Sequence, residues 1–480
     1  MNLHSKHQST LQILFAKHPS IKEALLFGSR ALGTHKESSD IDIALKGDIT
    51  PTLLAHLKEE LEDSTLPYFC DILDYERAPQ ELREHIDTHA LTLYKREEEW
   101  QEVRLGDVTT RMTSGGTPST TDEKNYNGGI PWLNTKEVKN CRIYKTEKTI
   151  SDLGLKNSSA KWIEKDSVIV AMYGATAGKI AVNKIPLTTN QACCNITVDP
   201  LKADYRFVYY SLLKQYERLA ALASGAAQQN LNISTISNLT IPLPTLERQK
   251  EIAEILSSFD DKIDFLHRQN RTLESLAQTL FRHYFIDNAK EEWEEKPLSD
   301  FGEVVCGKTP SKSNKNYYGG NYPFIKIPDM HGNVFVFSTA DTLTQEGADS
   351  QKNKILPPLS ICVSCIATVG LVSMNATEAQ TNQQINSIIP HKPHYRYYLF
   401  LYLQSLYDEL HALASGGTAT LNLNTGDFSK IKIPMPSDEE LLSFNNEIEA
   451  IFSRIFENQK KSITLKNTQN LALQRLLDER

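Results

Sequence analysis

The sequence predicts an α+β multidomain protein, in which a small α/β domain precedes two similar α+β domains, each followed by a long helix. The chain has 480 residues, enough for three or four domains. Most of it repeats at an offset of about 192 residues, far longer than a solenoid period. Two long segments carry apolar residues at heptad spacing. The predicted boundaries are 1–96 for the first domain, 100–245 and 293–436 for the repeated domains, and 246–288 and 437–480 for the helices.

Charge is unevenly distributed along the chain. The formal net charge is -8, yet residues 100–245 hold 17 Lys and Arg against 12 Asp and Glu, while residues 1–99 hold 11 against 18. Local charge matters more than the total for phosphate contact, so only the first repeated domain has a basic excess that favours nucleic acid. We find no apolar run long enough for a membrane span and no export signal. Seven scattered cysteines are typical of reduced thiols, so we expect a cytoplasmic protein.

The first domain carries a pattern typical of metal-dependent nucleotidyl transfer. An apolar strand ends at Gly28, Ser29 and Arg30, and Asp40 and Asp42 follow. The two aspartates alternate on a predicted strand, so both carboxylates lie on one face. Asp71, on a neighbouring strand, would complete a set of hard oxygen ligands for Mg²⁺ and substrate phosphates. We expect backbone N–H groups of Gly28 and Ser29, and the charge of Arg30, to contact a nucleoside triphosphate.

This domain resembles the minimal nucleotidyltransferases of the polymerase-beta superfamily, which have Gly-Ser, then Asp-x-Asp, then a third acidic residue. All three acids are present, whereas Leu32 stands where that family often has an arginine. The resemblance implies catalysis by Asp40, Asp42 and Asp71, AMP transfer to a protein, and a helical partner protein. The alternative is an inert interaction domain whose acids are surface residues.

The two repeated domains share several short motifs in one order. Within each copy, short β-branched and aromatic runs alternate with Gly, Asn, Ser and Pro, which predicts strands joined by many loops. Residues 167–172 and 361–367 are examples of predicted strands. The matched segments are 100–107 with 293–300, 116–119 with 308–311, 125–129 with 316–320, 190–191 with 382–383, and 241–244 with 433–436.

Each copy ends in a long segment with a heptad seam, and neither seam contains a proline. We prefer a coiled-coil pair to two helices that each lie on their own domain's core, because both seams persist over many turns. Polar residues within the seams would fix the register. The first seam is Ile252, Leu256, Phe259, Ile263, Leu266, Asn270, Leu273, Ala277, Leu280 and Tyr284; the second is Phe444, Ile448, Ile451, Ile455, Asn458, Ser462, Leu465, Gln469, Ala472 and Leu476.

Residues 100–480 resemble a type I restriction-modification specificity subunit, with two target-recognition domains and two spacer helices. The residues that carry the resemblance are 114–119, 174–178, 241–244 and 247–253, with their second-copy counterparts. The resemblance implies a bipartite, asymmetric double-stranded DNA target and antiparallel spacer helices. It also implies partner methyltransferase and restriction-translocase subunits, and no cofactor in this region. The alternative function is a Mg²⁺-dependent nucleotidyltransferase that a DNA-binding module delivers or regulates.

Residues shared by both copies cannot distinguish two different half-sites, so we expect them to hold the fold or contact phosphate. Specificity should lie in the divergent segments 133–165 and 325–357. Solvated surface loops are the alternative for any single position. The candidate DNA-contacting residues are Asn134, Lys136, Lys139, Arg142, Lys326, His331, Asn333 and Lys352.

Two further motifs resemble ligand sites without the required context. Residues 302–309 fit the spacing of a phosphate-binding loop, but Pro310 and a polar turn follow where such a loop needs a helix. Cys362 and Cys365 form a close pair inside an apolar run, with no second pair and no histidine at metal spacing. We therefore expect neither a nucleotide nor zinc at these positions.

Overall fold

The computed structural model describes residues 3–36, 39–96, 100–223, 231–415 and 421–478. The chain divides into two compact units: Met1–Lys250 with Leu477–Arg480, and Glu251–Leu476. No helix among the described residues is both long and apolar enough to cross a membrane.

The amino-terminal domain is a four-stranded sheet flanked by helices. The sheet order is β3-β2-β1-β4, with β2 and β3 parallel and the other pairs antiparallel. Ile41, Ile43 and Leu45 lie on one face of β2 and are fully buried, as are Ala24 and Leu26 of β1, which fixes the register of both strands. The elements are α1 (Ser5–Ala16), β1 (Ile21–Phe27), α2 (Gly28–Leu32), β2 (Ile41–Gly47), α3 (Pro51–Glu62), β3 (Cys70–Asp74), α4 (Gln80–His89) and β4 (Leu91–Lys95).

The first repeated domain contains a five-stranded sheet of order β6-β13-β10-β11-β8, a three-stranded sheet of order β12-β7-β9 and the pair β14-β5. The pair joins the start of the domain to its end. The elements are β5 (Gln101–Arg104), β6 (Thr109–Ser114), β7 (Tyr126–Leu133), β8 (Cys141–Ile143), β9 (Lys148–Ile150), α5 (Asp152–Lys156), β10 (Val168–Ala171), β11 (Ile180–Asn183), β12 (Thr188–Thr189), β13 (Cys193–Val198), α6 (Tyr205–Lys214), α7 (Tyr216–Ala223), α8 (Ile233–Ser237) and β14 (Thr240–Leu243). The helix α9 (Leu246–Arg282) follows.

The second repeated domain has the same topology. Its sheets have the orders β16-β23-β20-β21-β18 and β19-β17-β22, with the pair β15-β24. The elements are β15 (Glu294–Pro297), α10 (Leu298–Phe301), β16 (Gly302–Cys306), β17 (Tyr318–Ile325), α11 (Ile327–Met330), β18 (Phe335–Val336), β19 (Thr342–Leu343), α12 (Gln345–Asp349), β20 (Ile361–Ser364), β21 (Val372–Asn375), β22 (Gln380–Thr381), β23 (Ile385–Pro390), α13 (Arg396–Ser405), α14 (Tyr407–Ala414), α15 (Thr425–Lys430) and β24 (Lys432–Met435). The helix α16 (Asp438–Asp478) follows.

Strand register corrects one detail of the sequence repeat. The motif match paired residue 125 with residue 316, an offset of 191. In the structure Tyr126 and Tyr318 occupy the same position, because each bulged strand makes its first pair there. Each tyrosine hydroxyl also donates to a proline carbonyl, of Pro118 or Pro310, at 2.8 and 2.6 Å. The structural offset is therefore 192 at this motif.

Helices α9 and α16 pair in antiparallel orientation within the second unit. The Asn458 side-chain amide donates to Asn270 Oδ1 at 2.8 Å, and Gln469 Nε2 donates to the carbonyl of Leu256 at 2.9 Å. Toward the other end, the Tyr284 hydroxyl donates to Glu447 at 2.7 Å. From Leu256 to Asn270 to Tyr284 the residue number rises, while that of the partner on α16 falls from 469 to 458 to 447. This order confirms the predicted antiparallel pairing.

The seam prediction is wrong at the end of the first helix. Tyr284 was placed in the seam, yet it is 37% exposed, while Phe281 and Phe285 are buried. A turn of π-helix, His283–Asp287, follows α9. Because such a turn adds a residue to the helical period, it rotates the buried face away from the heptad position.

The second helix also packs on its own domain, so the two interpretations of the seam are both partly right. Phe452 is fully buried and stacks on Tyr397 of α13 with ring centroids 4.2 Å apart. Phe444 contacts Phe285 edge-on at 4.8 Å. One face of α16 therefore belongs to the domain core, and the polar seam residues face α9.

The structure shows the surroundings of the two motifs at 302–309 and at Cys362 and Cys365. No helix follows β16 directly among the described residues, because residues 307–314 form loops and a turn. Cys362 lies in β20, and both Cys362 and Cys365 are free and buried. Burial raises the pKa of each thiol to about 11.

The amide pair in the seam generates a stability prediction. Asn458→Ala leaves buried Asn270 without its amide donor, so we expect the local opening free energy of both helices to fall by about 1–3 kcal/mol. Hydrogen exchange of the α9 and α16 amides measures it. The exposed Thr468→Ala on α16 is the matched control. Replacing both asparagines by leucine should restore protection, and equal exchange in wild type and Asn458→Ala would contradict the assignment.

Candidate functional site

Three strands of the amino-terminal sheet bring the predicted catalytic residues to one edge. Asp42 pairs with Phe27 of β1 on one side and with Asp71 of β3 on the other. Since Asp42 and Asp71 are in register on adjacent strands, their side chains lie on one face of the sheet. Gly28 and Ser29 begin α2 directly after β1. Asp40 is exposed and lies just before β2.

Gly28 is required by the close approach of Asp42. A Cβ at this position would lie 2.3 Å from Asp42 Oδ2, and the residue has a φ of +69°, which side chains rarely adopt. Any larger residue would displace the Asp42 carboxylate. The Gly-Ser motif and the first strand acid therefore form one local unit.

Asp71 and Asp40 lie near enough to Asp42 to affect its ionisation. Burial raises the pKa of the Asp42 carboxyl, and the negative charges of Asp71 and Asp40 raise it further, while the Arg30 guanidinium lowers it. A cation would stabilise a carboxylate whose pKa is raised by neighbouring negative charges.

Arg30 lies beneath this edge. Its side chain is 2% exposed, its Nε donates to the carbonyls of Ser39 and Asp40 at 3.0 and 3.1 Å, and its guanidinium stacks on Tyr68 at 4.2 Å. The arginine therefore holds the backbone that carries Asp40. Tyr68, which sequence reasoning missed, has no motif that would have revealed it.

The three carboxylates are not closely gathered. Among described residues, one group of three His, Cys, Asp or Glu side chains has ligand atoms all within 4.8 Å of one another, and it lies elsewhere in this domain. Asp71 Oδ1 is instead 3.8 Å from Lys58 Nζ of α3. Lys58 was also missed, because its position in an ordinary amphipathic helix gives no signal.

In both repeated domains the divergent segment begins at the same structural position. Asn134 and Lys326 follow β7 and β17, and each backbone N–H donates to an acid three residues on, Glu137 or Asp329, at 3.0 and 2.9 Å. The second oxygen of each acid accepts a backbone N–H from the returning chain, at 2.8 and 3.0 Å. Each carboxylate thus joins the chain that leaves the strand to the chain that returns. The sequence signal was available, since 137 and 329 differ by the repeat offset.

The other predicted DNA-contacting residues differ in their exposure and in their polar partners. Lys136 pairs with Glu147 at 2.5 Å, and Lys326 with Asp341. Lys139 and His331 are exposed and occupy equivalent positions, two residues after each acid. Arg142 is half-buried in β8, and Asn333 is exposed, with its amide donating to the Asp329 carbonyl at 3.0 Å. Lys352 is exposed, 4.0 Å from Asp349. Asn134 caps the short helix after it, its Oδ1 accepting from the Lys136 N–H at 3.2 Å.

Several residues common to both copies make the same internal contacts. Thr117 donates to Gln191, and Thr309 donates to Gln383 at 2.6 Å. Asn183 and Asn375 are fully buried, and each side-chain amide donates to two loop carbonyls. These shared residues hold the fold, as we expected of positions that cannot discriminate half-sites.

Two domains of one topology with divergent loops, and a paired helical spacer, define a duplicated recognition protein, here preceded by a carboxylate-bearing α/β domain. The family model for the type I restriction modification DNA specificity domain matches residues 97–275 and 290–474. The polymerase beta nucleotidyltransferase model matches residues 9–99. The chain belongs to the type I restriction-modification specificity family and carries a nucleotidyltransferase domain at its amino terminus.

Individual relatives and solved structures are similar to parts of this chain. The type I restriction enzyme HindI specificity subunit of Haemophilus influenzae is 32% identical over 462 residues, covering 79% of this chain and 99% of the relative. The solved S subunit of a type I restriction-modification system from M. genitalium is 17% identical, with a TM-score of 0.49, covering 80% of this chain and 97% of that one. A toxin-antitoxin structure with AMP-PNP is 25% identical, with a TM-score of 0.18, covering 19% and 74%.

The raised pKa of Asp42 generates a prediction about stability. The carboxylate destabilises the folded chain above that pKa, and the penalty disappears as the pH falls through it. Asp42→Asn should therefore raise the thermal midpoint at neutral pH in EDTA. Added Mg²⁺ with a non-hydrolysable ATP analogue should raise the midpoint of wild type and not of the variant. Differential scanning calorimetry measures both, with exposed Asp48→Asn as control. If the thermal midpoint of Asp42→Asn in EDTA were lower than that of wild type, the charge of Asp42 would not destabilise the folded chain.

Proposed function

We propose that residues 100–480 read a bipartite, asymmetric double-stranded DNA target and assemble with separate methyltransferase and restriction-translocase subunits. The observation that carries the proposal is the pair of equivalent segments that leave β7 and β17. Each is held by the same carboxylate bridge, yet the side chains differ: exposed Lys139 corresponds to exposed His331, and half-buried Asn134 corresponds to half-buried Lys326. A common scaffold with different exposed groups is what two readers of unlike half-sites require.

The proposed contacts are of two kinds. Cationic side chains such as Lys136, Lys139 and Lys326 suit phosphate oxygens, because their charge is not sequence-specific. Asn134 and Asn333 suit base edges, where an amide can donate and accept at once. Lys136 and Lys326 are paired with acids in the structure, so contact with phosphate would exchange one anionic partner for another. The spacer helices set the gap between half-sites.

For the amino-terminal domain we propose Mg²⁺-dependent nucleotidyl transfer, with AMP passed to a protein acceptor and a helical protein as partner. Asp40, Asp42 and Asp71 would hold the metal, whose charge would offset the repulsion that raises the pKa of Asp42. Bound Mg²⁺ would neutralise triphosphate oxygens and the attacking oxygen. The backbone N–H groups of Gly28 and Ser29 would contact the triphosphate. The missing Cβ of Gly28 leaves room for the Asp42 carboxylate, and Arg30 keeps the Asp40 backbone in place. Lys58 would exchange Asp71 for phosphate.

The recognition proposal predicts separable effects on the two half-sites. We expect the chain, mixed with a matching methyltransferase subunit, to retain DNA fragments with a split motif of fixed gap. Lys139→Ala should alter retention through one half-site only, and His331→Ala through the other, because the two positions are equivalent in different domains. Loss of a phosphate contact should reduce the salt slope by about 1, whereas loss of a base contact should cost about 1–3 kcal/mol at one position.

Sequencing of the retained fragments, at two salt concentrations, measures these effects. Lys312→Ala, a lysine outside the divergent segments, serves as a surface control. A single contiguous motif, or one half-site affected by both variants, would overturn the proposal of two readers.

The transfer proposal predicts that, with Mg²⁺ present, a protein acceptor becomes labelled by AMP from α-labelled ATP. Asp40→Ala and Asp42→Ala should abolish labelling and Mg²⁺-dependent nucleotide binding, because each removes a metal ligand. Asp48→Ala, an exposed acid of the same domain, should retain both. Absence of transfer and of nucleotide binding in the wild-type chain would leave the inert interaction domain as the correct interpretation.

A further inference from the structure

A second cluster of ligating side chains lies in the amino-terminal domain. His18 Nε2 is 2.8 Å from Glu60 Oε2, and His56 Nδ1 is 3.6 Å from Glu60 Oε1. The ligand atoms of the three residues all lie within 4.8 Å of one another, and no other group of three among the described residues does so. None of the three belongs to the nucleotidyltransferase motif.

Local structure fixes these side chains from two directions. His56 and Glu60 are four residues apart on α3, so they lie on one face of the helix. His18 lies in the turn between α1 and β1, whose backbone is held by Arg96: the guanidinium Nη2 donates to the carbonyls of Ala16 and His18 at 3.1 and 2.7 Å. The two imidazole rings meet edge to face with centroids 5.9 Å apart. The cluster is thus assembled by the fold.

The chemistry of the donors differs from that of the catalytic acids. Two imidazole nitrogens and one carboxylate suit a borderline metal such as Zn²⁺, whereas Mg²⁺ prefers oxygen ligands. Three protein ligands leave a fourth position for water or another ligand. The His56 side chain is 60% exposed, which gives an ion access, while His18 and Glu60 are 17% and 29% exposed.

We propose that His18, His56 and Glu60 bind one Zn²⁺-class transition-metal ion that joins α3 to the α1–β1 turn. The ion replaces the direct contact between His18 and Glu60, each then ligating the metal through the atom that now faces the other. This site is independent of the proposed nucleotidyl transfer. Lys58, on the same helix, pairs with Asp71, so the helix that the ion would anchor is also the one that contacts the catalytic edge.

Zinc titration of the untagged, chelator-treated full chain, followed by calorimetry in excess Mg²⁺, tests the proposal. We expect one Zn²⁺ per chain and a raised thermal midpoint. His56→Ala, which removes the most exposed ligand, and His18→Ala should each weaken binding by at least about tenfold. The control His85→Ala/His89→Ala removes another histidine pair of the same domain, at helical spacing on α4, and should bind as wild type does.

A second readout separates this site from the acids. Co²⁺ in place of Zn²⁺ should give visible absorption bands of a low-coordinate nitrogen site, which persist in Asp40→Ala/Asp42→Ala and disappear in His56→Ala. Circular dichroism verifies that each variant is folded. If His18→Ala does not fold, Glu60→Gln replaces it as the second variant that lacks a metal ligand. No stoichiometric Zn²⁺ in wild type, or equal affinity in wild type and folded His56→Ala, would overturn the proposal whatever the outcome of the transfer assay.

Discussion

Both repeated domains depend on buried polar side chains that satisfy backbone groups of long connections. Their strands are short, some of only two residues. Hydrogen bonds between strands therefore satisfy only part of the backbone, and the carbonyl and N–H groups of the long connections need other partners. Asn183 and Asn375, at equivalent positions, each donate to loop carbonyls from a fully buried position. Because an unsatisfied buried group is costly, these contacts determine the loop conformations as much as apolar packing does. In the divergent segments, Glu137 and Asp329 likewise satisfy backbone N–H groups through their carboxylates.

The same constraint explains why the copies diverge where they do. Glu137 and Asp329 each join the outgoing chain of a divergent segment to its returning chain. The exposed residues between these two points can differ, because the carboxylate holds the backbone without their side chains. Lys139 and His331 can therefore differ while the scaffold beneath stays the same. In the helix pair, by contrast, the polar side chains are themselves buried. Asn270 and Asn458 bond to each other across the pair, which favours one register over others.

Much of the fold was predictable because it depends on periodicity and duplication, which a sequence displays directly. The two seams, the strands near 168 and 361 and the first-domain strands carrying Asp42 and Asp71 follow from spacing alone. The end of the first seam did not, since a π-helical turn is set by the packing of Phe281 and Phe285 and not by a local motif. The internal contacts of Arg30 could not be predicted from the sequence for a similar reason. A positive charge beside a phosphate motif implies a ligand, but burial over Tyr68 and bonds to two carbonyls are tertiary facts.

In the first domain, neighbouring residues accommodate the Asp42 carboxylate, whose charged form is disfavoured at this position. Asp42 is held half-buried among other acids although its charge is disfavoured there, and nothing in the sheet requires a carboxylate at that position. Its neighbours nonetheless make room for it: Gly28 has no Cβ where one would meet Asp42 Oδ2, and Arg30 holds the backbone of Asp40. A carboxylate without function could be replaced by an apolar residue that packs better, and the room that Gly28 leaves for the Asp42 carboxylate would then serve no purpose. The joint arrangement of Gly28, Arg30 and Asp42 therefore argues for a retained cation-binding edge more strongly than the three acids do by themselves.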